Sequence, residues 1–300
     1  MSDTKPLVSV VTITYNHEKW IGKCIEGVLM QKTDFPLEMI VAEDCGPDGT
    51  RAICEDYAAK HPDIIRLLPS EKNLGPKENE KRAMAEVRGK YIAFCEGDDY
   101  WTEPAKLQRQ VDFLEANPDY TVCFARWRNY NDVSGKFEPD KCDDLFPQGT
   151  EGIDLDIDMF FQRWVTQPMT MVYRADAISL ELYDRYKYYR DHHQIYHLLK
   201  AGKGYVMNLV TGVRVKHEGG MASMISDREY CERALPLTKE FYLQTRDKWP
   251  KKGYMDTLQI CVGEFAADDK MKALGCAIKL FTMNFKIKRF LRNIRKVIIS

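Results

Sequence analysis

Near the N-terminus stands the run Leu7-Val8-Ser9-Val10-Val11-Thr12-Ile13, which is apolar, rich in β-branched residues and followed by Thr14-Tyr15-Asn16. Such a run predicts a buried β-strand, and residues 17–30 after it have the periodicity of a helix. The alternation continues with predicted strands at 37–42, 64–68 and 91–95 and predicted helices at 50–60, 77–87 and 106–116. This order predicts an α/β fold of the Rossmann type, with a mostly parallel sheet covered by helices on both faces.

The pattern is less regular after residue 117. The sequence predicts a short strand at 120–125, a polar loop at 126–153, a strand near 169–173, helices from Ala175 and at 191–201, and strands near 205–207 and 210–215. It contains no repeat and no low-complexity linker. We therefore predict one α/β domain at 1–225 and a helical extension at 226–300.

Charge is distributed unevenly along the chain. Of its 44 basic residues, nine lie after Asp269, where no acidic residue occurs, so residues 1–269 hold 35 basic and 45 acidic residues. An acidic body argues against a nucleic acid partner. Nine scattered cysteines without a C-x-x-C pair indicate reduced thiols, and the N-terminus lacks an apolar signal region. These features predict a cytoplasmic location.

Three acids and a glycine follow the fourth predicted strand directly, as Glu96-Gly97-Asp98-Asp99. In a parallel sheet, ligands bind beyond the carboxyl ends of the strands. Hard oxygen ligands at that place suit Mg²⁺ or Mn²⁺, which can bridge to phosphate oxygens. The alternative is a solvated acidic turn that caps the helix beginning near Pro104.

Two further residues end strands on the same side of the predicted sheet. Asp44 precedes Gly46-Pro47-Asp48-Gly49-Thr50 and can accept hydrogen bonds from a base or ribose, or it can cap its own turn. Tyr15 can offer a ring face to a base or pack against its loop. Neither residue is decisive alone.

Together these motifs, in this order, are more specific than any one of them. Thr14-Tyr15-Asn16, Glu43-Asp44 with Asp48-Gly49-Thr50, Asn73-Leu74-Gly75 and Glu96-Gly97-Asp98-Asp99 occur at spacings that resemble glycosyltransferase family 2 across roughly residues 7–220. The resemblance implies a GT-A fold, a nucleotide-sugar donor and an inverting transfer. Ile13 stands where the family often has Pro, and Lys81-Arg82-Ala83 replaces a common Ala-Arg-Asn segment.

The resemblance also implies roles for individual residues. Those expected at the nucleotide are Thr14, Tyr15, Asp44, Glu96 and Gly97. Asp98 is expected to bind Mn²⁺ or Mg²⁺ directly, Glu96 to reach the ribose or a metal-bound water, and Asp99 to orient the site. Glu96 replaces the first Asp of the family's D-x-D motif.

The second half of the chain carries the acceptor side of the resemblance. Asp191 begins a helix that resembles the segment presenting the catalytic base, and the alternative is that Asp191 is a helix N-cap. The stretch Val213-Arg214-Val215-Lys216-His217-Glu218-Gly219-Gly220 resembles the family's Tyr-Arg-x-His-x-Gly-Gly segment. Lys216 and His217 are therefore expected to meet the diphosphate or the metal.

The tail from residue 270 to 300 forms a basic amphipathic pattern. Apolar residues recur at helical spacing, and the basic residues between them include Lys286, Arg289, Arg292, Arg295 and Lys296. Such a helix can lie on an anionic membrane surface, which would place the protein peripherally on the inner face of the cell membrane. It can instead pack on the acidic body or on a second subunit, which would make a homodimer.

The sequence thus predicts transfer of a sugar to a glycan or lipid-linked hydroxyl, as in surface polysaccharide or glycolipid assembly. A nucleotidyltransferase that makes sugar nucleotides is one alternative, but it would need a Gly-rich, Arg/Lys-bearing loop where this chain has Thr14-Tyr15-Asn16-His17. A catalytically inactive binding module is the other, and the joint presence of Asp44, Asp98, Asp99 and Asp191 argues against it.

Overall fold

The structure, a computed structural model, describes residues 5–139, 142–163, 165–220 and 226–299. The chain divides into two compact units. The first contains Met1–Arg185 and Arg190–His217, and the second contains Tyr186–Tyr189 and Glu218–Ser300. The predicted boundary between residues 225 and 226 adjoins residues 221–225, which lie outside the described residues.

A ten-stranded sheet forms the centre of the described part of the first unit. Its strands are β1 (Val8–Thr14), β2 (Leu37–Glu43), β3 (Ile65–Pro69), β4 (Tyr91–Phe94), β5 (Tyr100–Trp101), β6 (Tyr120–Asn131), β7 (Lys136–Phe137), β8 (Gly152–Leu155), β9 (Val172–Arg174) and β10 (Lys203–Lys216). The strand order is β3-β2-β1-β4-β9-β6-β10-β5, with β7 on β6 and β8 on β10. Strands β3, β2, β1 and β4 are parallel, as are β6 and β10.

The order of these strands locates the binding crevice. The chain adds β2 and β3 on one side of β1 and then places β4 on the other side. In open α/β sheets, the loops that leave two such strands diverge and open a crevice at their carboxyl ends. The loops after Thr14 and Phe94 border that crevice.

Helices of the first unit pack apolar residues onto the sheet. They are α1 (Ile21–Leu29), α2 (Thr50–Lys60), α3 (Pro76–Met84), α4 (Lys106–Ala116), α5 (Ile157–Gln162), α6 (Glu181–Arg185) and α7 (Asp191–Ala201). In α1 the buried residues include Ile21, Cys24, Ile25 and Val28, whose spacing lines one face of a helix. They join the core formed by β1, β2 and β4.

Three predictions for the second half of this unit are wrong. The predicted loop at 126–153 contains the outer half of β6 together with β7 and β8. The outer half of β6 was not predicted because it carries polar residues such as Arg126 and Asn131. Strand β6 pairs with β10 along its whole length. The two strands predicted at 205–215 are a single strand with register shifts, and only a 3-10 turn (Ala175–Ala177) stands where a helix was predicted to begin.

Lys106 is an unusual buried charge beneath the sheet. It is fully buried at the start of α4, its Nζ lies 4.1 Å from the ring centroid of Trp101, and no hydrogen-bond partner reaches Nζ among the described residues. Burial lowers the pKa of Lys106 to about 7, against smaller opposing effects of Cys95 and Cys123.

We expect Lys106→Met to raise the free energy of unfolding by about 2 kcal/mol at neutral pH, after allowing for the lost cation–π contact. The unfolded chain keeps the Lys106 proton up to its ordinary pKa near 10.5, whereas the folded chain releases it above about 7. Between these two pKa values the unfolded chain binds more protons than the folded chain. The free energy of unfolding of the wild type should therefore rise with pH, relative to that of the Met variant, by up to about 1.4 kcal/mol per pH unit. Urea unfolding at neutral and alkaline pH measures this difference, and identical pH slopes would contradict it.

The second unit is helical. Its helices are α8 (Asp227–Thr245), α9 (Lys248–Phe265), α10 (Lys270–Asn284) and α11 (Ile287–Ile299). The side chains of Ser226, Asp247 and Asp269 accept backbone N–H groups at the starts of α8, α9 and α10. No helix in the described part of the chain is both long enough and apolar enough to cross a bilayer.

Helix α11 has two different apolar faces. Val297 is buried, and Phe290 and Ile294 pack against the core of the helical unit. On another side of the helix, Ile287, Leu291 and Ile298 are 60–70% exposed. The tail therefore packs within its own unit and still exposes an apolar row.

Candidate active site

Two loops meet where β1 and β4 end. Gly97 donates its backbone N–H to the carbonyl oxygen of Ile13 at 3.0 Å, which ties the acidic loop to the end of β1. A Cβ on Gly97 would lie 2.5 Å from Thr14 Oγ1 and 2.9 Å from His17 Nδ1. Only glycine permits this close approach.

The predicted metal ligands Asp98 and His217 lie together although they are far apart in sequence. His217 Nε2 is 3.1 Å from Asp98 Oδ2. His17 joins them, with Nε2 at 3.9 Å from the same oxygen. The three ligand atoms lie within 4.8 Å of one another, and carboxylate and imidazole are both metal ligands. The donor set fits a divalent cation.

Trp20 supports both histidines. Its ring lies against the His217 ring, with centroids 4.1 Å apart, and meets the His17 ring edge-on at 6.2 Å. Such packing limits the orientations that both imidazoles can take. Burial lowers the pKa of His17 against the opposing charge of Asp98, which favours the neutral imidazole that binds metals.

The three neighbouring acids of the β4 loop differ in charge. Burial would raise the pKa of Asp98, but the hydrogen bond with His217 and the nearby His17 ring hold it below its ordinary value. Burial, followed by repulsion from Asp98 and Asp191, raises the pKa of Glu96 to about 8. Asp99 is buried, accepts the Val215 N–H at 2.9 Å and has a pKa raised well above its usual range by burial and by Asp98. Negative charge is therefore concentrated on Asp98.

Asp191 is the first residue of α7, and the N-cap is Arg190, so the N-cap alternative for Asp191 is wrong. Its Oδ1 accepts the His192 N–H at 2.9 Å. Burial opposes ionisation, but hydrogen bonding and charge from His192 outweigh it and hold the pKa of Asp191 below its ordinary value. The carboxylate also raises the pKa of Glu96, so the two acids belong to one electrostatic environment.

Glu80 is a further acid in this environment. Its carboxylate accepts the Tyr183 hydroxyl at 2.5 Å, and burial, with a smaller contribution from Asp191, raises its pKa to about 7. Sequence reasoning did not identify Glu80, because an acid in the middle of a polar helix carries no distinguishing signal.

The nucleotide-side residues have different surroundings. Tyr15 is 39% exposed, which leaves its ring accessible. Asp44 is only 2% exposed and accepts the backbone N–H groups of Leu74 and Gly75, each at 2.9 Å. Asp44 therefore holds the loop after β3 rather than its own turn, and its contact with a base or ribose stays a prediction.

Lys216 points to a different partner from the one expected. Its Nζ lies 2.5 Å from Glu138 Oε2, in the segment that follows β7. A contact between Lys216 and a diphosphate stays a prediction.

Besides Glu80, sequence reasoning also missed His17 and Trp20. The available signal was position, because His17 follows Tyr15-Asn16 in a loop already expected at the carboxyl end of β1. Sequence spacing alone does not relate residue 17 to residue 217.

Known proteins resemble this chain in both sequence and structure. A model of the family described as Glycosyl transferase family 2 matches residues 9–178. An uncharacterised protein of Mycobacterium tuberculosis is 38% identical over 167 residues, which cover 56% of this chain and 46% of that protein. The putative teichuronic acid biosynthesis glycosyltransferase TuaG of Bacillus subtilis is 37% identical over 114 residues, covering 38% of this chain and 44% of TuaG. The chain thus matches less than half the length of these relatives.

A solved structure extends the likeness of fold. TarS residues 1–349 of S. aureus, in complex with UDP-GlcNAc, superpose with a TM-score of 0.66 at 18% identity, covering 97% of this chain and 90% of that one. This likeness confirms the predicted fold, a GT-A type sheet followed by a helical region. The family match covers more than half of the chain and includes the loops that carry Thr14, Asp44 and Asp98. On these grounds, the chain belongs to glycosyltransferase family 2.

Proposed function

We propose that this protein transfers a sugar from a nucleotide diphosphate sugar to an acceptor hydroxyl, with inversion at the anomeric carbon and with a divalent cation bound. The observation that carries the proposal is the meeting of Asp98 and His217 beside Glu96, in a family 2 domain whose second half supplies Asp191. A surface polysaccharide or glycolipid acceptor is favoured by the relative named for teichuronic acid biosynthesis.

On the donor side, the loop after β1 offers Thr14 and the exposed Tyr15 ring to the nucleotide. Asp44 keeps the neighbouring loop at 73–75 in place. Asp98 and His217 would hold Mn²⁺ or Mg²⁺, which supplies neutralisation of the negative charge that develops on the departing diphosphate. Glu96, in the same loop as Asp98, would accept a hydrogen bond from a ribose hydroxyl.

On the acceptor side, Asp191 acts as the general base. Its low pKa keeps it ionised at neutral pH, so it can take the proton of an acceptor hydroxyl that attacks the anomeric carbon. Attack on the face opposite to the departing diphosphate inverts the configuration. The raised pKa of Glu96 reduces the negative charge beside Asp191.

The test is turnover with defined donors. A set of nucleotide sugars is screened by thermal shift with Mn²⁺, and each stabilising donor is then assayed for release of nucleoside diphosphate with and without acceptor. Acceptor-dependent release supports the proposal, and nuclear magnetic resonance of the product reports the anomeric configuration. Binding of several donors without release would indicate an inactive binding module instead.

We further propose that α11 binds anionic membrane surfaces. Its exposed apolar row, Ile287, Leu291 and Ile298, lies beside a row of basic residues at matching helical spacing, Lys288, Arg292 and Arg295. A helix with adjacent apolar and basic rows can bury the first in the interface and neutralise lipid headgroups with the second.

Replacing Lys288, Arg292 and Arg295 by Ser is expected to weaken binding to anionic vesicles about a hundredfold, because each basic residue contributes about 1 kcal/mol near such a surface. Sedimentation with phosphatidylglycerol-containing vesicles measures the change. Leu291→Ser with Ile298→Ser should weaken binding as well, without affecting the buried Val297.

Three exposed lysines elsewhere, Lys136, Lys203 and Lys239, give a control of equal charge loss. Their replacement by Ser should leave most of the vesicle binding intact. An equal loss in both triple variants would mean that net charge, rather than α11, drives adsorption. Absence of vesicle binding in the wild-type protein would overturn the proposal.

A further inference from the structure

His17 contributes a third metal-ligand type of side chain at the Asp98–His217 pair. It lies in the loop between β1 and α1, with its Nε2 atom 3.9 Å from Asp98 Oδ2. The His217 Nε2 atom approaches the same oxygen to 3.1 Å from the end of β10. Three separate parts of the sequence thus place ligand atoms around one point.

These separations fit ligands of a single ion. Nitrogen and carboxylate oxygen ligands lie about 2.0–2.2 Å from a transition-metal ion. Two such ligands are then about 3 Å apart at a right angle and about 4 Å apart on opposite sides. Both measured distances to Asp98 Oδ2 fall within that range.

The ring of His17 is held in the orientation that ligation needs. Its Nδ1 lies 3.2 Å from Thr14 Oγ1, which leaves Nε2 on the side of Asp98. Its backbone N–H donates to Thr50 Oγ1 at 2.8 Å, and the Trp20 ring packs edge-on against it. In histidines that bind metals, the ring nitrogen that does not bind the ion is typically fixed by a hydrogen bond.

We propose that His17 is a third ligand of the cation held by Asp98 and His217. The inference rests on the proposed function for its biological use, since the cation would serve the donor diphosphate. Mg²⁺ is held mainly through oxygen ligands, whereas the affinity of a site that contains nitrogen rises along the first-row transition metals from Mn²⁺ to Co²⁺. An added imidazole should therefore strengthen the binding of Co²⁺ and Mn²⁺ and leave that of Mg²⁺ little changed.

The first test is calorimetric titration of the full chain with MnCl₂, CoCl₂ or MgCl₂ in the absence of nucleotide. Wild-type protein should bind Co²⁺ more tightly than Mn²⁺, as expected of a site with nitrogen ligands. In His17→Gln, the affinity for Mn²⁺ and Co²⁺ should fall by about tenfold or more, while Mg²⁺ binding changes little. The glutamine amide can still hydrogen-bond to Thr14, so the loop should keep its conformation.

The control is His61→Gln. His61 follows α2 and precedes β3, so it lies at the amino ends of the strands, away from the cation site. This variant should bind all three ions as the wild type does. Thermal unfolding of both variants without metal checks that each is folded.

A spectroscopic readout counts the ligands directly. Electron spin echo envelope modulation of bound Mn²⁺ should detect two imidazole nitrogens in the wild type, from His17 and His217, and one in His17→Gln. Detection of a single nitrogen in the wild type, or equal Mn²⁺ affinity in wild type and His17→Gln, would overturn the three-residue site.

These outcomes are distinct from failure of the proposed function. Metal binding is measured without donor or acceptor, so it does not depend on transfer. A protein that binds Mn²⁺ through His17 but releases no nucleoside diphosphate from any donor would retain the site and lose the transferase proposal.

Discussion

Replacing Asp191 by Asn is expected to lower sugar transfer by at least about a hundredfold, because the amide cannot accept the acceptor proton that general-base catalysis removes. Donor binding should stay within about twofold of wild type, since Asp191 is assigned to the acceptor side. The loss should appear in kcat when both substrates are saturating. Folding should be little affected, because the Asn oxygen can still accept the His192 N–H.

The measurement pairs a transfer assay with calorimetric titration of the donor in the presence of Mn²⁺. Asp184→Asn is the matched control, because Asp184 is a largely exposed carboxylate on α6 that pairs with Lys81. It should transfer sugar at the wild-type rate. Transfer by Asp191→Asn within about tenfold of wild type would exclude Asp191 as the base and direct attention to Glu80 or Glu96, which share its environment.

The second large effect is expected from Asp98→Asn. The substitution removes the negative charge of the Asp98 carboxylate. In the wild type, His217 and His17 favour the ionised form of this carboxylate. A neutral amide oxygen is a much poorer ligand for a cation that must also bridge to a diphosphate. We expect the Mn²⁺-dependent increase in nucleoside diphosphate affinity to be lost, while the weak metal-independent binding remains.

Calorimetric titration of nucleoside diphosphate with and without Mn²⁺ measures this loss. Asp56→Asn is the control, since Asp56 is an exposed residue of α2 paired with Lys60. Stability should not fall, because removal of the Asp98 charge relieves the repulsion that raises the pKa values of Glu96 and Asp99. Equal enhancement by Mn²⁺ in Asp98→Asn and wild type would rule out Asp98 as a ligand.

The sequence predicts the first half of the fold well because its strands are short apolar runs separated by turn residues. Strand β2 was expected at 37–42 and extends to Glu43, and β4 was expected at 91–95 and ends at Phe94. Strand β6 was underestimated for a physical reason. Its outer half carries Arg126, Arg128 and Asn129, whose place in the sheet is secured by pairing with β10 rather than by their own apolarity.

The parts of the candidate site that lie on one short segment could be predicted from the sequence. The parts that depend on contacts between residues far apart in the sequence could not. Glu96-Gly97-Asp98-Asp99 is visible as a motif, but the charge differences among its acids come from residues such as Asp191 and His217. The partners of Asp44 lie 30 and 31 residues further along the chain. Pairing over such separations becomes known only when the strands are placed.

The separation of the cation ligands has a consequence for synthesis of the protein. His17 and His217 are 200 residues apart, and β10, which ends beside His217, lies inside the sheet between β6 and β5. At a translation rate of about 5–20 residues per second, His17 leaves the ribosome roughly 10–40 s before His217. A growing chain would therefore hold an incomplete set of the proposed ligands until β10 has inserted into the sheet. A cation bound as proposed, to the native state and not to the unfolded chain, would then stabilise the finished fold by mass action.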